Sequence, residues 1–198
     1  MTFIETVPVD AASGLVAEQY EADRTARGNV PNYTRAFSHR PDVYAAWQQL
    51  SDTVRGNMDL RTYELATFAA ARRLRSSYCM LAHGSLVLQN DLLGTEELRS
   101  VVTDHRAAGL DPAEVAVMDV AEKVADDATS VTQADVDRLR SLGLSEAEIL
   151  DVVLAAALRC FFSKVLDGVG AQPDAEFEQR VDPELREALV VGRPIATG

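Results

Sequence analysis

Cys79 and His83, four residues apart, are the residues of this chain best placed to do chemistry. On one helix they share a face, with Cβ atoms about 5–6 Å apart. A helix that starts near Ser77 puts the thiol in its first turn, where free N–H groups and the helix dipole favour a thiolate. An imidazole one turn on can take the thiol proton. Ser76, three residues before the cysteine, can cap the helix or hydrogen-bond the sulfur, and Tyr78 can place a hydroxyl beside it. Glu64 can orient the imidazole if its helix folds back onto this stretch. The plainer alternative is a packed thiol, a hydrogen-bonded imidazole and a tyrosine that only packs a helix hairpin.

Other residues add less. One cysteine and one histidine supply two metal ligands, and His39 and His105 have no ligand pattern nearby, so neither a metal nor a cofactor is expected. Arg72, Arg73 and Arg75 precede the motif and can stabilise a thiolate or a substrate carboxylate; the alternative is a solvated or intersubunit face. Cys160, between Leu158 and Phe161-Phe162, reads as a buried inert thiol. Tyr44 and Trp47 are expected to pack the core or an interface.

The elements that must position these groups are helices. Ala, Leu, Glu, Arg and Gln dominate, and period-two β-branched runs are scarce, so the fold class is all-α. Spacing and caps predict helices over Ser13–Ala26, Tyr33–Ser38, Asp42–Arg55, Leu60–Leu74, Tyr78–Gln89, Thr95–His105, Pro112–Asp127, Gln133–Ser141, Glu146–Leu166 and a tail helix over Asp174–Val190. Asp59, Asp111-Pro112-Ala113-Glu114, Thr132 to Asp135 and Ser145 to Glu148 mark helix starts. No linker divides the series, so one domain over residues 1–198 is expected, its core at about 30–170, with the two ends lying over the surface or a neighbouring subunit.

The formal net charge of −12 argues against binding a nucleic-acid backbone. No apolar run reaches the roughly 18 residues of a membrane span, and residues 1–5 lack a basic leader with an apolar core. Two cysteines make no disulfide framework, so a reducing, cytoplasmic setting is expected.

An offset of 84 residues aligns Tyr63-Glu64-Leu65 with Ala147-Glu148-Ile149, Leu74-Arg75 with Leu158-Arg159, Ser76 with Cys160, Cys79 with Ser163 and Gly84 with Gly168. Asp167 takes the histidine's place in the second copy, which therefore looks chemically dead.

Glu64 followed by Ser76-x-x-Cys79-x-x-x-His83-Gly84 resembles the AhpD-like family, the fold shared by alkylhydroperoxidase D and carboxymuconolactone decarboxylase. The specific match covers about Asp59–Gly84, including Arg61-Thr62-Tyr63-Glu64-Leu65-Ala66, and a looser helical likeness runs from about Val30 to Gly168. The resemblance implies an AhpD-like helical fold with internal duplication, assembled as a trimer or hexamer. It also implies that Cys79 is the peroxidatic cysteine and that His83 and Glu64 form a proton relay. Ser76 falls where the family's resolving cysteine stands, and a serine cannot close that disulfide.

Three readings follow from the resemblance. In the first, Cys79 reduces a small-molecule hydroperoxide as a one-cysteine peroxidase, restored by an external thiol reductant or by Cys160. In the second, His83 and Glu64 do acid–base chemistry on a lactone-type substrate, as in the decarboxylase. In the third, the chain is a catalytically idle homo-oligomer.

Overall fold

Nine consecutive residues, Tyr63 to Ala71, are buried, and a helix apolar on every side belongs at the centre of a fold. In the computed structural model, which describes residues 2–197, this helix, α4 (Leu60–Arg73), is the central rod. Ala66, Ala69, Ala70 and Ala71 are fully buried, and their small side chains let α7 (Pro112–Asp127) and α9 (Glu146–Gly168) pack closely against it. α5 (Ser77–Gln89) folds back on α4 as the second arm of a hairpin.

The remaining helices surround this core: α1 (Gly14–Arg27), α2 (Asn32–Ala36), α3 (Pro41–Gly56), α6 (Thr95–Asp104), α8 (Gln133–Ser141), α10 (Phe177–Arg180) and α11 (Pro183–Leu189). Apart from α1, whose buried residue is Tyr20, their buried apolar residues join one hydrophobic cluster. All regular elements among the described residues are helical, as expected from the sequence.

The caps explain the helix starts. The Asp59 carboxylate accepts from the Thr62 N–H at 3.0 Å. At α9 the Ser145 N–H donates to Glu148 at 2.8 Å, and the Glu148 N–H returns to Ser145 Oγ. Reciprocal caps of this kind also open α7 and α8.

The break between α4 and α5 determines where Cys79 sits. Arg75 adopts φ +56°, a left-handed conformation usually left to glycine at the end of a helix. Behind it the Ser76 N–H reaches the Ala71 carbonyl and the Arg75 N–H reaches that of Arg72, each at 3.0 Å. The chain turns there and starts α5 at Ser77, which places Cys79 in the first turn. The 84-residue alignment meets no such break in the second copy: α9 runs unbroken through Leu158, Arg159 and Cys160 for 23 residues. The two stretches thus share a sequence pattern and differ in shape.

The tail helix expected over Asp174–Val190 is two short helices. Pro183 has no N–H to give to a helix interior, and the Asp182 carboxylate caps a new start by accepting from Glu184 and Leu185. α11 then buries Leu185 and Leu189, and Leu189 fills the space beside Gly84. Of the two ends expected over the surface or a neighbouring subunit, both pack back on this chain. The Phe3 N–H donates to the Val169 carbonyl at 2.7 Å, Ile195 is buried, and the Gly192 N–H donates to Ser77 Oγ at 2.8 Å. Met1 and Gly198 lie outside the described residues.

A methyl group at Gly192 would overlap the Arg75 carbonyl oxygen, whereas one at Gly84 would meet only the end of the Leu189 side chain at 2.9 Å. Gly192→Ala is therefore expected to destabilise the protein by about 2–3 kcal/mol and Gly84→Ala by about 1 kcal/mol. Urea unfolding of the two variants checks that order.

Candidate functional site

The hairpin of α4 and α5 brings Glu64 and His83 together. His83 Nδ1 lies 2.7 Å from Glu64 Oε2, and both side chains are buried. A carboxylate can only accept, so Nδ1 carries the proton and Nε2 keeps its lone pair. Burial pushes the imidazole below its ordinary value, helped by the Arg159 and Arg55 charges and opposed by Glu64. His83 is thus held neutral with a basic nitrogen free.

Cys79 shares a cavity of about 350 Å³ with His83 and Glu64. Its sulfur bonds neither to the imidazole nor to Ser76. Its partners come from α9: Arg159 Nη1 at 3.4 Å and Ser163 Oγ at 3.2 Å. Arg159 is only 3% exposed, and no carboxylate among the described residues lies within ion-pair distance of it. Burial works against its charge, but Cys79 facing it, with Tyr63 and Glu64 close by, more than offsets this and holds the guanidinium firmly protonated.

These two partners were not among the sequence-derived candidates. The expected source of positive charge, the cluster of Arg72, Arg73 and Arg75, points elsewhere: to the Thr103 carbonyl, to Asp126 and to the Val191 carbonyl. The signal for the real source was the 84-residue alignment, which pairs Arg75 with Arg159 and Cys79 with Ser163. Those last two residues, 84 apart, touch. The second copy lacks the histidine and yet supplies both hydrogen-bonding groups on the sulfur.

Ser76 is fully buried, and its hydroxyl neither caps α5 nor finds another partner. It lies close enough to Asp167 to offset part of the upward push that burial gives that acid, without forming a bond of good geometry. Tyr78 lines the cavity, but its hydroxyl turns from the sulfur, donating to Asp174 and accepting from the Tyr33 N–H at 3.2 Å. Burial, then the Asp174 charge, pushes this phenol well above its ordinary value. Cys160 is a free, partly exposed thiol, less buried than expected, and burial raises it.

Residues 41–123 match the model of the carboxymuconolactone decarboxylase family. The match spans less than half of the chain; the chain as a whole has an all-α AhpD-like fold. The AhpD core of a peroxidase-related protein from Ralstonia eutropha JMP134 superposes with a TM-score of 0.80 at 22% identity, covering 91% of this chain and 97% of that one. A peroxidase-related protein from Silicibacter sp. TM1040 gives 0.75 at 21% identity, covering 89% and 93%. A cysteine-to-alanine variant of the debrominase Bmp8, in complex with 2,3,4-tribromopyrrole, gives 0.72 at 14% identity, covering 91% and 96%. No curated protein matches this sequence. At these identities the structural likeness shows the fold. The segment that matches the carboxymuconolactone decarboxylase family holds Glu64, Cys79 and His83, while Arg159 and Ser163 lie beyond it.

Away from the cavity the fold also gathers His105, Asp119 and Glu122, a grouping their sequence spacing did not suggest. His105 Nε2 sits 3.0 Å from Asp119, but Arg106 bridges both acids and Arg138 holds Asp119 at 2.9 Å. Two guanidiniums already balance the two carboxylates, so a divalent cation there would face uncompensated repulsion. The cluster reads as a charge network joining α7 to α8.

The lowered His83 predicts a stability effect. The unfolded chain protonates this histidine near 6.5, the folded chain only at lower pH, so stability is full above about 6.5 and is lost as pH falls toward the folded value. His83→Gln should flatten the fall in urea midpoint between pH 7 and pH 5. An unchanged slope would count against the buried neutral imidazole.

Proposed function

We propose that this protein is a thiol-dependent, peroxidase-like oxidoreductase with Cys79 as its single reactive cysteine. The observation that carries the reading is the buried Arg159 guanidinium, whose hydrogen-bond partner is the Cys79 sulfur. A buried cation favours negative charge on its neighbours, and the sulfur is the group it touches, with Glu64 close by. Ser163 adds a second donor to the same atom.

The chemistry follows from these positions. His83 Nε2 takes the thiol proton, directly or through the bound hydroperoxide, and Glu64 stabilises the resulting imidazolium. The Cys79 sulfur attacks the distal peroxide oxygen; an S–O bond forms as the O–O bond breaks. Sulfur is oxidised to the sulfenic acid, and the alkoxide leaves with the proton from His83. With Ser76 in place of a resolving thiol, an external thiol then displaces water to give a mixed disulfide, and a second thiol restores Cys79 and departs as disulfide. A reducing, cytoplasmic setting goes with this reading, since both cysteines are free.

A lyase of the decarboxylase type is the second reading, favoured by one observation: the 2.7 Å His83–Glu64 pair makes no bond to the sulfur. In that case Nε2 would serve as acid–base for a lactone-type substrate while Cys79 shapes the cavity.

For the thiol reading, Cys79→Ala should abolish thiol-dependent hydroperoxide consumption, Cys160→Ser should keep it, and a dimedone probe should label Cys79 after peroxide. Arg159→Met should slow turnover about tenfold or more, equivalent to ~1.4 kcal/mol of lost charge stabilisation. Wild-type consumption by Cys79→Ala would remove the reading. A lyase would instead tolerate Cys79→Ser and lose all turnover in His83→Ala and Glu64→Gln.

A homo-oligomer also belongs to this proposal. Leu150, Leu154 and Phe161 are exposed along the outer face of α9, and such a row normally marks an interface. Sedimentation as a monomer at micromolar concentration would refute it.

A further inference from the structure

Hydrogen peroxide is a few atoms across, yet the cavity beside Cys79 measures about 350 Å³, the scale of a site for a small organic molecule. Aromatic rings form one part of its wall, and charged and polar side chains such as Arg27, Asp52, Arg55 and Asp174 form much of the rest. Tyr33, Tyr44, Trp47, Tyr63, Tyr78 and Phe162 all line it, contributed by α2, α3, α4, α5 and α9. The rings brace one another: Trp47 stacks on Phe162 with centroids 4.0 Å apart, and Tyr33 meets Phe162 edge-on at 5.9 Å and Tyr78 at 5.6 Å. A wall fixed this way presents π-faces and ring edges in set directions, which favour a flat aromatic partner over an aliphatic one of equal size.

Two buried donors on the same wall lack an acceptor. Trp47 Nε1–H and Arg159 Nε–H find no partner in the protein, although buried donors are nearly always paired. Both belong to side chains that line the cavity. Both nitrogens are themselves covered, so a ligand oxygen becomes their acceptor only when the ring or the guanidinium turns toward the cavity.

From this wall we propose that the site takes an aryl substrate carrying an acceptor oxygen, such as an aryl-substituted hydroperoxide, in preference to hydrogen peroxide or a short alkyl hydroperoxide. The identity of the reacting group rests on the Cys79 reading given above; the aryl preference rests on the wall alone.

The test separates the two. Trp47 is the only tryptophan of the chain, so its fluorescence reports on the cavity in the wild-type protein. 2-Phenyl-2-propanol, which cannot react, should change that fluorescence saturably. 2-Cyclohexyl-2-propanol should bind about fivefold or more weakly, and tert-butanol should give no saturable change at ten times the concentration. Equal or tighter binding of the cyclohexyl alcohol, or no saturable binding by the phenyl alcohol, overturns the proposal.

In turnover, kcat/KM for cumene hydroperoxide should exceed that for tert-butyl hydroperoxide about tenfold or more. Trp47→Leu, compared at equal folded fraction, should narrow that ratio to about threefold or less. Binding of the phenyl alcohol with neither hydroperoxide consumed would refute the Cys79 chemistry and support the aryl site. Equal consumption of both hydroperoxides without phenyl binding would refute the aryl site and support the chemistry.

Discussion

An arginine with 3% of its surface exposed is the constraint on which the rest of this site depends. Removing a charge from water costs several kcal/mol unless it is paired and hydrogen-bonded. Arg159 meets that demand with a sulfur at 3.4 Å and with the Glu64 charge nearby rather than a direct ion pair. On the thiol reading proposed above, the guanidinium is placed to stabilise negative charge that develops at Sγ as the thiol loses its proton. The cation facing Cys79 is the feature that sets it apart from Cys160, which has no such hydrogen-bond partner among the described residues.

The fold satisfies the constraint by joining one broken helix to one continuous helix. Arg75, at φ +56°, ends α4 and lets α5 begin just before Cys79, so the thiol gains a helix N-terminus on one side. α9 passes without a break on the other side, and its positions 159 and 163, one turn apart, reach the sulfur. A break in α9 like that at Arg75 would separate Arg159 from Ser163 and lose the pair. The difference in shape between the two 84-residue copies is thus what allows each to contribute a different half of the site.

Much of this was legible in the sequence. The caps at Asp59, Asp111 and Ser145 are local chemistry, and they located their helices closely. The Glu64–His83 pair was legible as a condition, that α4 fold back on α5, which the hairpin meets. Arg159 was not legible, because nothing local distinguishes a buried arginine on an apolar helix from one that snorkels to the surface. The direction of the Tyr78 hydroxyl was hidden for the same reason: its partner, Asp174, lies 96 residues away. The split of the tail helix was visible in Asp182-Pro183, whose capping and helix-starting signals were outweighed by an apolar pattern running on either side.

Ser76 acquires a physical meaning from its surroundings. It is fully buried at the start of α5, beside Asp167 and away from the sulfur's hydrogen-bond partners. A thiol at that position would have to compete with the Arg159 and Ser163 bonds to reach Sγ, and a hydroxyl there leaves them intact. On the one-cysteine reading proposed above, reducing equivalents come from outside, through the same 350 Å³ cavity that would admit the substrate. Substrate and reductant then occupy one space in turn, and the oxidised product has to leave before a thiol can enter. A wall built to hold an aryl group would make that departure slow, which places the burden of turnover on release and re-reduction more than on the attack by Cys79.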